Sequence, residues 1–101
     1  MKGTPLFPLG QVVATPGALQ KAEQHGVNLT LLLQRHSCGD WGVVSKGDRD
    51  ENDYSVMRHL RILSAYPIET DRPSKGYGDN TLWIITEADR SATTILLPDE
   101  Y

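Results

Sequence analysis

The densest chemistry in the chain lies in Arg35-His36-Ser37-Cys38-Gly39-Asp40-Trp41-Gly42, which brings a cation, an imidazole, a thiol, a carboxylate and an indole together with two glycines. Each side chain has a sharp reading and a plain one. His36 and Asp40, joined by Glu87 or Asp89, would offer nitrogen and oxygen ligands to a metal ion. Yet the chain holds no His-x-x-x-His or Cys-x-x-Cys pair, and Asp40 just past a helix end has the simpler task of accepting nearby backbone N–H groups. No metal and no other cofactor is therefore expected. Cys38 would be a nucleophile only with His36 or His59 beside it as base; without a diagnostic local motif it reads as a small buried residue near a helix end. Trp41 would stack on a ligand or anchor the core, and its large apolar ring favours the anchor.

A second polar cluster comprises Glu87, Asp89 and Arg90, with Thr93 and Thr94 following. It falls at the turn between two strands, where charged side chains are usually solvated and Glu87 can pair with Arg90 across the tip. Should the helix that carries His36 end near this hairpin, Arg35, His36, Asp40 and Trp41 would share one polar pocket with Glu87, Asp89 and Arg90. Those seven residues are the candidate site.

The elements that must position them are legible from caps and periodicity. Leu9 to Ala14 has β-branched residues at its centre and predicts a short strand after a proline-punctuated lead-in over residues 1–8. Thr15-Pro16 starts a helix, since the hydroxyl can accept an orphan N–H and proline has none to satisfy; Gly26 stops it after His25. Asn28 caps a second helix, with Val27 and Leu32 at hydrophobic-staple spacing. Leu29, Leu32, Leu33 and His36 fall on one face of that helix, so His36 continues an apolar stripe, and Gly39 ends it. Asp48 and Glu51 have capping-box spacing, and a third helix is predicted over about Arg49 to His59. Strands are predicted over about Arg61 to Glu69, Thr81 to Glu87 and Ala92 to Leu97, with a flexible hairpin loop from Asp71 to Asn80. The expected fold is α+β: a strand, two to three helices, then a three-stranded antiparallel meander, with the helices packed on one face of the sheet.

Leu82-Trp83-Ile84-Ile85 and Ile95-Leu96-Leu97 are apolar on both faces, whereas a sheet with one face in water alternates. The outer face then needs a cover, and a homodimer is expected to supply it through Leu82, Ile84 and Leu96 or through Trp83, Ile85 and Ile95; the plainer alternative is that the terminal segments fold over it.

Composition limits the classes further. At 101 residues the chain is read as one domain, residues 1–101, and its 39% hydrophobic and 23% charged content is ordinary for a globular protein. No apolar run approaches the roughly 20 residues a bilayer requires, and no secretory signal is evident, so no membrane partner is expected. A single cysteine fits a reducing cytoplasm. A net charge of −3 weighs against binding nucleic acid through its phosphates.

Leu9-Gly-Gln-Val-Val-Ala-Thr-Pro-Gly-Ala18, Arg35-His-x-x-Gly-Asp-Trp-Gly42, Arg61-Ile-Leu-Ser-Ala-Tyr66, Trp83-Ile-Ile-Thr-Glu-Ala-Asp-Arg90 and Thr93-Thr-Ile-Leu-Leu-Pro98 together resemble a family of small, uncharacterised bacterial proteins carried on plasmids and other mobile elements and labelled plasmid-related. The resemblance covers about residues 9 to 101 and implies a mobile-element setting without implying an activity. Relative to that pattern, Asp71 to Asn80 looks like a local insertion. The order of elements is also that of the RelE-like ribonuclease toxins, an analogy of fold alone; Arg58, Arg61, Arg90 and Tyr101 would be the candidate basic and aromatic side chains. The expected function is a small non-enzymatic accessory or interaction protein of a mobile element, with a protein partner. The alternatives are a small-ligand or hydrolytic site at the Arg35 to Trp41 turn, or a RelE-like ribonuclease.

Overall fold

In a computed structural model that describes residues 3–101, the chain runs β1 (Gln11–Ala14), α1 (Pro16–His25), α2 (Leu29–Ser37), α3 (Lys46–Arg58), β2 (Ile62–Pro67), β3 (Thr81–Thr86) and β4 (Ala92–Leu96), then a short 3-10 turn, Pro98–Glu100. Local chemistry sets the first two helices where the sequence places them. The Thr15 hydroxyl accepts from the Ala18 N–H at 3.1 Å, Pro16 opens the helix, and Gly26 closes it at φ 66°. The Asn28 side chain accepts from the Leu31 N–H at 3.1 Å, so α2 begins at Leu29.

The third helix starts earlier than expected. Ser45, not Asp48, is its cap: the hydroxyl accepts from the Asp48 N–H at 3.1 Å, which draws Lys46 and Gly47 into the first turn. His59 ends it in the left-handed region at φ 57°.

The sheet is four-stranded, open and mixed, in the order β1-β4-β3-β2. β2, β3 and β4 form the expected antiparallel meander, but the opening strand joins the sheet parallel to β4, with Gln11 beside Ala92 and Ala14 beside Ile95. The long path through three helices makes this possible, since a parallel neighbour needs a crossover rather than a turn.

Residues paired across the ladders share a face. Ser64, Ile84 and Ile95 lie on one side, and Ala18 of α1 and Leu32 of α2 cluster there with Tyr66, Ile68, Leu82, Ile84 and Ile95. Each fully buried Leu or Ile in this cluster contributes roughly 1.5–3 kcal/mol. The third helix departs from the expected one-face arrangement, because it lies along the outer edge of β2. The Asn52 side-chain amide donates to the Leu63 C=O at 2.7 Å and its oxygen accepts from the Leu63 N–H at 3.2 Å, standing in for the missing next strand. Further along the same edge, the Val43 N–H donates to the Ala65 C=O (2.7 Å) and the Ala65 N–H to the Trp41 C=O (3.1 Å). Only glycine fits between them, since a Cβ on Gly42 would overlap the Ala65 carbonyl oxygen.

The other sheet face carries Ala65, Trp83, Ile85 and Leu96, and here the premise for a dimer is corrected. Ala65, Ile85 and Leu96 are buried within the single chain, as are Leu82, Ile84 and Ile95 on the first face. The cover is local. The Trp83 indole N–H donates to the Gly76 C=O at 2.8 Å, which draws the loop after β2 across the sheet, and the Tyr101 ring meets Trp83 edge-on at 5.8 Å. That loop is tied down rather than loose: buried Asn80 accepts from the Glu69 N–H at 2.8 Å and donates to the carbonyls of Glu69, Arg72 and Pro73. No helix among the described residues is long and apolar enough to cross a membrane.

Candidate functional site

The structure separates the seven candidate residues into three environments. His36 sits at the end of the α2 apolar stripe, wholly buried against the sheet. Its Nδ1 lies 2.5 Å from the Ser64 hydroxyl and its Nε2 2.8 Å from the Thr86 hydroxyl; Thr86 in turn lies 2.7 Å from the Thr93 hydroxyl, which donates to the Leu9 C=O at 2.7 Å. The direction of the whole string follows from its end. A carbonyl only accepts, so Thr93 has spent its one proton and must accept from Thr86; Thr86 must then accept from Nε2–H, which leaves Nδ1 to accept from Ser64. His36 is thus the neutral Nε2–H tautomer. Burial, with the Arg90 charge adding to it, lowers its pKa from 6.5 to about 3. Phe7 meets the ring edge-on at 5.3 Å and Trp41 at 5.9 Å.

Asp40 and Arg35 face outward. Arg35 Nε donates to Asp40 Oδ2 at 2.7 Å and its guanidinium lies 4.7 Å above the Tyr66 ring. The Gly42 N–H donates to Asp40 Oδ1 at 3.3 Å, and the Tyr66 hydroxyl donates to the Asp40 C=O at 2.7 Å. The hydrogen bond from Arg35 holds the Asp40 carboxyl below the usual carboxylate range. Asp40 therefore locks the turn after α2 to β2, as its position past a helix end implies. Trp41 is a core anchor: buried, stacked on Phe7 at 6.2 Å, with its N–H donating to Asp53 Oδ1 at 3.0 Å.

The hairpin cluster also splits. Glu87 and Asp89 are exposed, and Asp89 Oδ1 accepts from the Ser91 N–H at 3.0 Å, closing the turn. Arg90 turns inward and makes no pair with Glu87. At φ 61° it occupies a left-handed position that usually favours glycine. Its Nη1 donates to the carbonyls of Leu60 (2.7 Å), Glu87 (3.1 Å) and Ala88 (3.2 Å), its Nη2 to that of Ser55 (2.9 Å), and the guanidinium lies 5.4 Å above Phe7. Burial lowers its pKa below the usual guanidinium range. It is a clamp that joins the hairpin to the last turn of α3, where the Ser55 carbonyl also accepts from the Leu60 N–H at 3.1 Å.

The two sequence clusters do meet, but through the packed core, with Phe7 between His36 and Arg90, and not in a pocket holding His36, Asp40 and Glu87. The Cys38 thiol donates to the Gly3 C=O at 3.1 Å, and both ring nitrogens of His36 are engaged by hydroxyls, so His36 is not its base. Among the described residues no three His, Cys, Asp or Glu side chains converge on a point that could hold a metal ion. The residues missed in the sequence are Phe7, Ser64, Asn52 and Asp53. Ser64 was open to detection: it lies two residues from both Ile62 and Tyr66, on the buried parity of its strand, and a buried hydroxyl there needs a partner. Open clefts among the described residues include one of about 520 Å³ beside Arg35, His25 and Glu69 and another of about 460 Å³ beside Lys21, Leu97 and Asp99.

No family model matches the chain, and neither does any curated protein or solved structure.

Proposed function

We propose that this chain is a small interaction domain rather than an enzyme, and that it serves as an accessory protein of a mobile genetic element. The observation that carries the first part is how the reactive side chains are used. His36, Trp41 and Arg90 are spent on internal partners, and among the described residues no buried side-chain nitrogen or oxygen is left without one. Catalytic centres instead hold groups with perturbed ionisation facing a cleft that substrate can enter; the strongly shifted histidine here faces only the core. The mobile-element setting is supported by the sequence resemblance alone. Arg90, one of the four side chains suited to a ribonuclease role, is buried on backbone carbonyls, which weighs against that alternative.

The test is an activity panel. The purified chain, with and without divalent cations, is offered ester, phosphoester, peptide and RNA substrates, and the gene is expressed alone in a bacterial host. The expected result is no turnover and no growth arrest. Turnover abolished by Asp40→Ala or Arg61→Ala, or arrest accompanied by RNA cleavage, would overturn the reading. A second reading, small-ligand binding, is favoured by the cleft beside Arg35; a thermal shift with a small anion, lost in Arg35→Met, would select it.

A further inference from the structure

The third helix is built inside out. Its buried residues are Asn52 and Ser55, while Tyr54 and Met57 are 53% and 79% exposed. At about 100° per residue, Lys46, Asp50, Tyr54 and Met57 fall within an outward arc of roughly 80°. The inner face has a clear reason to be polar, since Asn52 pairs with the Leu63 peptide and the Ser55 carbonyl receives Arg90. Among the described residues nothing covers Met57, and Tyr54 carries the Arg58 guanidinium of its own helix 5.6 Å above its ring. Tyr, Met and Arg are the residue types enriched where proteins meet, and Leu60, also exposed, extends the stripe past the helix end.

The charges say what should lie on it. The first half of α3 carries Asp48, Asp50, Glu51 and Asp53 against Lys46 and Arg49, whereas beyond Tyr54 come Arg58 and Arg61 with no acid before Glu69. A helix negative at one end and positive at the other is its own complement when two copies run antiparallel. Because facing positions in such a pair have a constant sum, an axis at Tyr54 sets Asp50 opposite Arg58 of the second copy, twice by symmetry. The existing Lys46 to Asp50 pair (3.0 Å) is exposed and exchanges at little cost. A stripe about 20 Å long, extended by Leu60, buries on the order of 500 Å² per copy, near the lower bound for a specific interface. An interface of that size suits a weak, transient association.

We infer that α3 is the surface through which two copies of this chain associate, antiparallel about an axis at Tyr54, with Asp50 of each facing Arg58 of the other. This deepens the interaction-domain reading by naming the partner. Sedimentation equilibrium from 1 to ~500 µM tests it, with thermal melts confirming that each variant folds. The wild type dimerises; Met57→Asp weakens the dimer by about tenfold or more, and Asp50→Arg and Arg58→Asp each weaken it several-fold, whereas the double exchange recovers most of the loss, because the two new charges attract across the axis. A wild-type chain monomeric throughout, a dimer indifferent to Met57→Asp, or a double exchange no better than the single ones would each overturn the inference. Those failures leave the interaction-domain reading standing, since that reading fails on turnover and not on self-association.

Discussion

Acidification should destabilise this protein through His36, well above the pH at which carboxylates ordinarily protonate. In the unfolded chain the imidazole takes up a proton near its ordinary value of 6.5, but in the folded chain only near 3, so below 6.5 the unfolded state binds more protons and stability falls with pH. Between pH 7 and pH 5 the loss is about 2 kcal/mol, and by pH 4 about 3 kcal/mol, from 1.36 kcal/mol per unit of separation. Against a total of roughly 5–10 kcal/mol for a domain of this size, the first figure lowers the melting temperature by about 10 °C. Asp40 acts with the opposite shift: its lowered value gives stability that is present above the ordinary 3.8 and lost only as pH falls through the folded value. The interval from 6.5 to 5 is therefore free of it. Urea unfolding at half-unit pH steps measures the slope, and His36→Gln, whose amide can donate and accept in the same string, should flatten it whatever its effect at pH 7. A wild-type slope near zero over that interval, or an equal slope in His36→Gln, would refute the reasoning.

Three further outcomes follow from the same contacts. Arg90→Gly relieves a left-handed backbone but orphans the Leu60 carbonyl, leaves the Ser55 carbonyl with only its backbone donors and uncovers Phe7; denaturant titration should show a net loss of about 2 kcal/mol, and a stabilised variant would mean the clamp is dispensable. Asp40→Asn breaks an ion pair that is largely in water, so it should cost under ~1 kcal/mol and less still in 0.5 M salt, read from melts at two ionic strengths. Gly17→Ala gains about 1 kcal/mol of helix propensity, but the new methyl meets the Glu100 carboxylate, which accepts from the Thr15 hydroxyl and the Leu97 N–H. The substitution should be near neutral alone and stabilising in a Glu100→Ala background, a coupling that a double-mutant cycle measures directly.

What the sequence made legible was mostly what neighbouring residues decide among themselves. Thr15-Pro16, Gly26 and Asn28 act within one turn of helix, and each stands where local chemistry puts it. Ser45 was equally local, and Ser45-Lys-Gly-Asp48 carries a serine and an acid three apart, but the Asp48 to Glu51 spacing competed with it and favoured the later start. Phe7 was illegible for a different reason: two apolar residues, Leu6 and Phe7, between prolines have no periodicity, and only the cavity between Trp41, His36 and Arg90 makes Phe7 core. The candidate residues part on direction. Spacing groups Glu87, Asp89 and Arg90 together, yet the left-handed turn at Arg90 sends its guanidinium inward while the two acids stay in solvent. The two-sided apolarity of β3 was a true signal answered from within the chain rather than by a second copy, since the loop held by Asn80 and the segment ending in Tyr101 cover the Trp83 face.

The two ways in which helices attach to this sheet explain why one surface is left free. α2 is fixed by a string of hydroxyls in which every member has one proton to give, so His36, Ser64, Thr86, Thr93 and the Leu9 carbonyl can be satisfied together only when the helix, three strands and the lead-in are in one stagger. A shift by one residue would orphan several buried groups at about 1–3 kcal/mol each. That specificity consumes the histidine, which is why the most reactive-looking residue in the chain has no surface on which to act. α3 is held mainly by polar contacts instead: an amide that mimics a strand, the Asp53 carboxylate on the Trp41 N–H and a carbonyl that receives Arg90, with Val56 against the core. Holding it needs small polar side chains on the inner face, and this leaves its large side chains, Tyr54 and Met57, to the outside. A helix docked this way is the part of the fold whose outer residues can change without disturbing the core, and a binding surface needs that freedom.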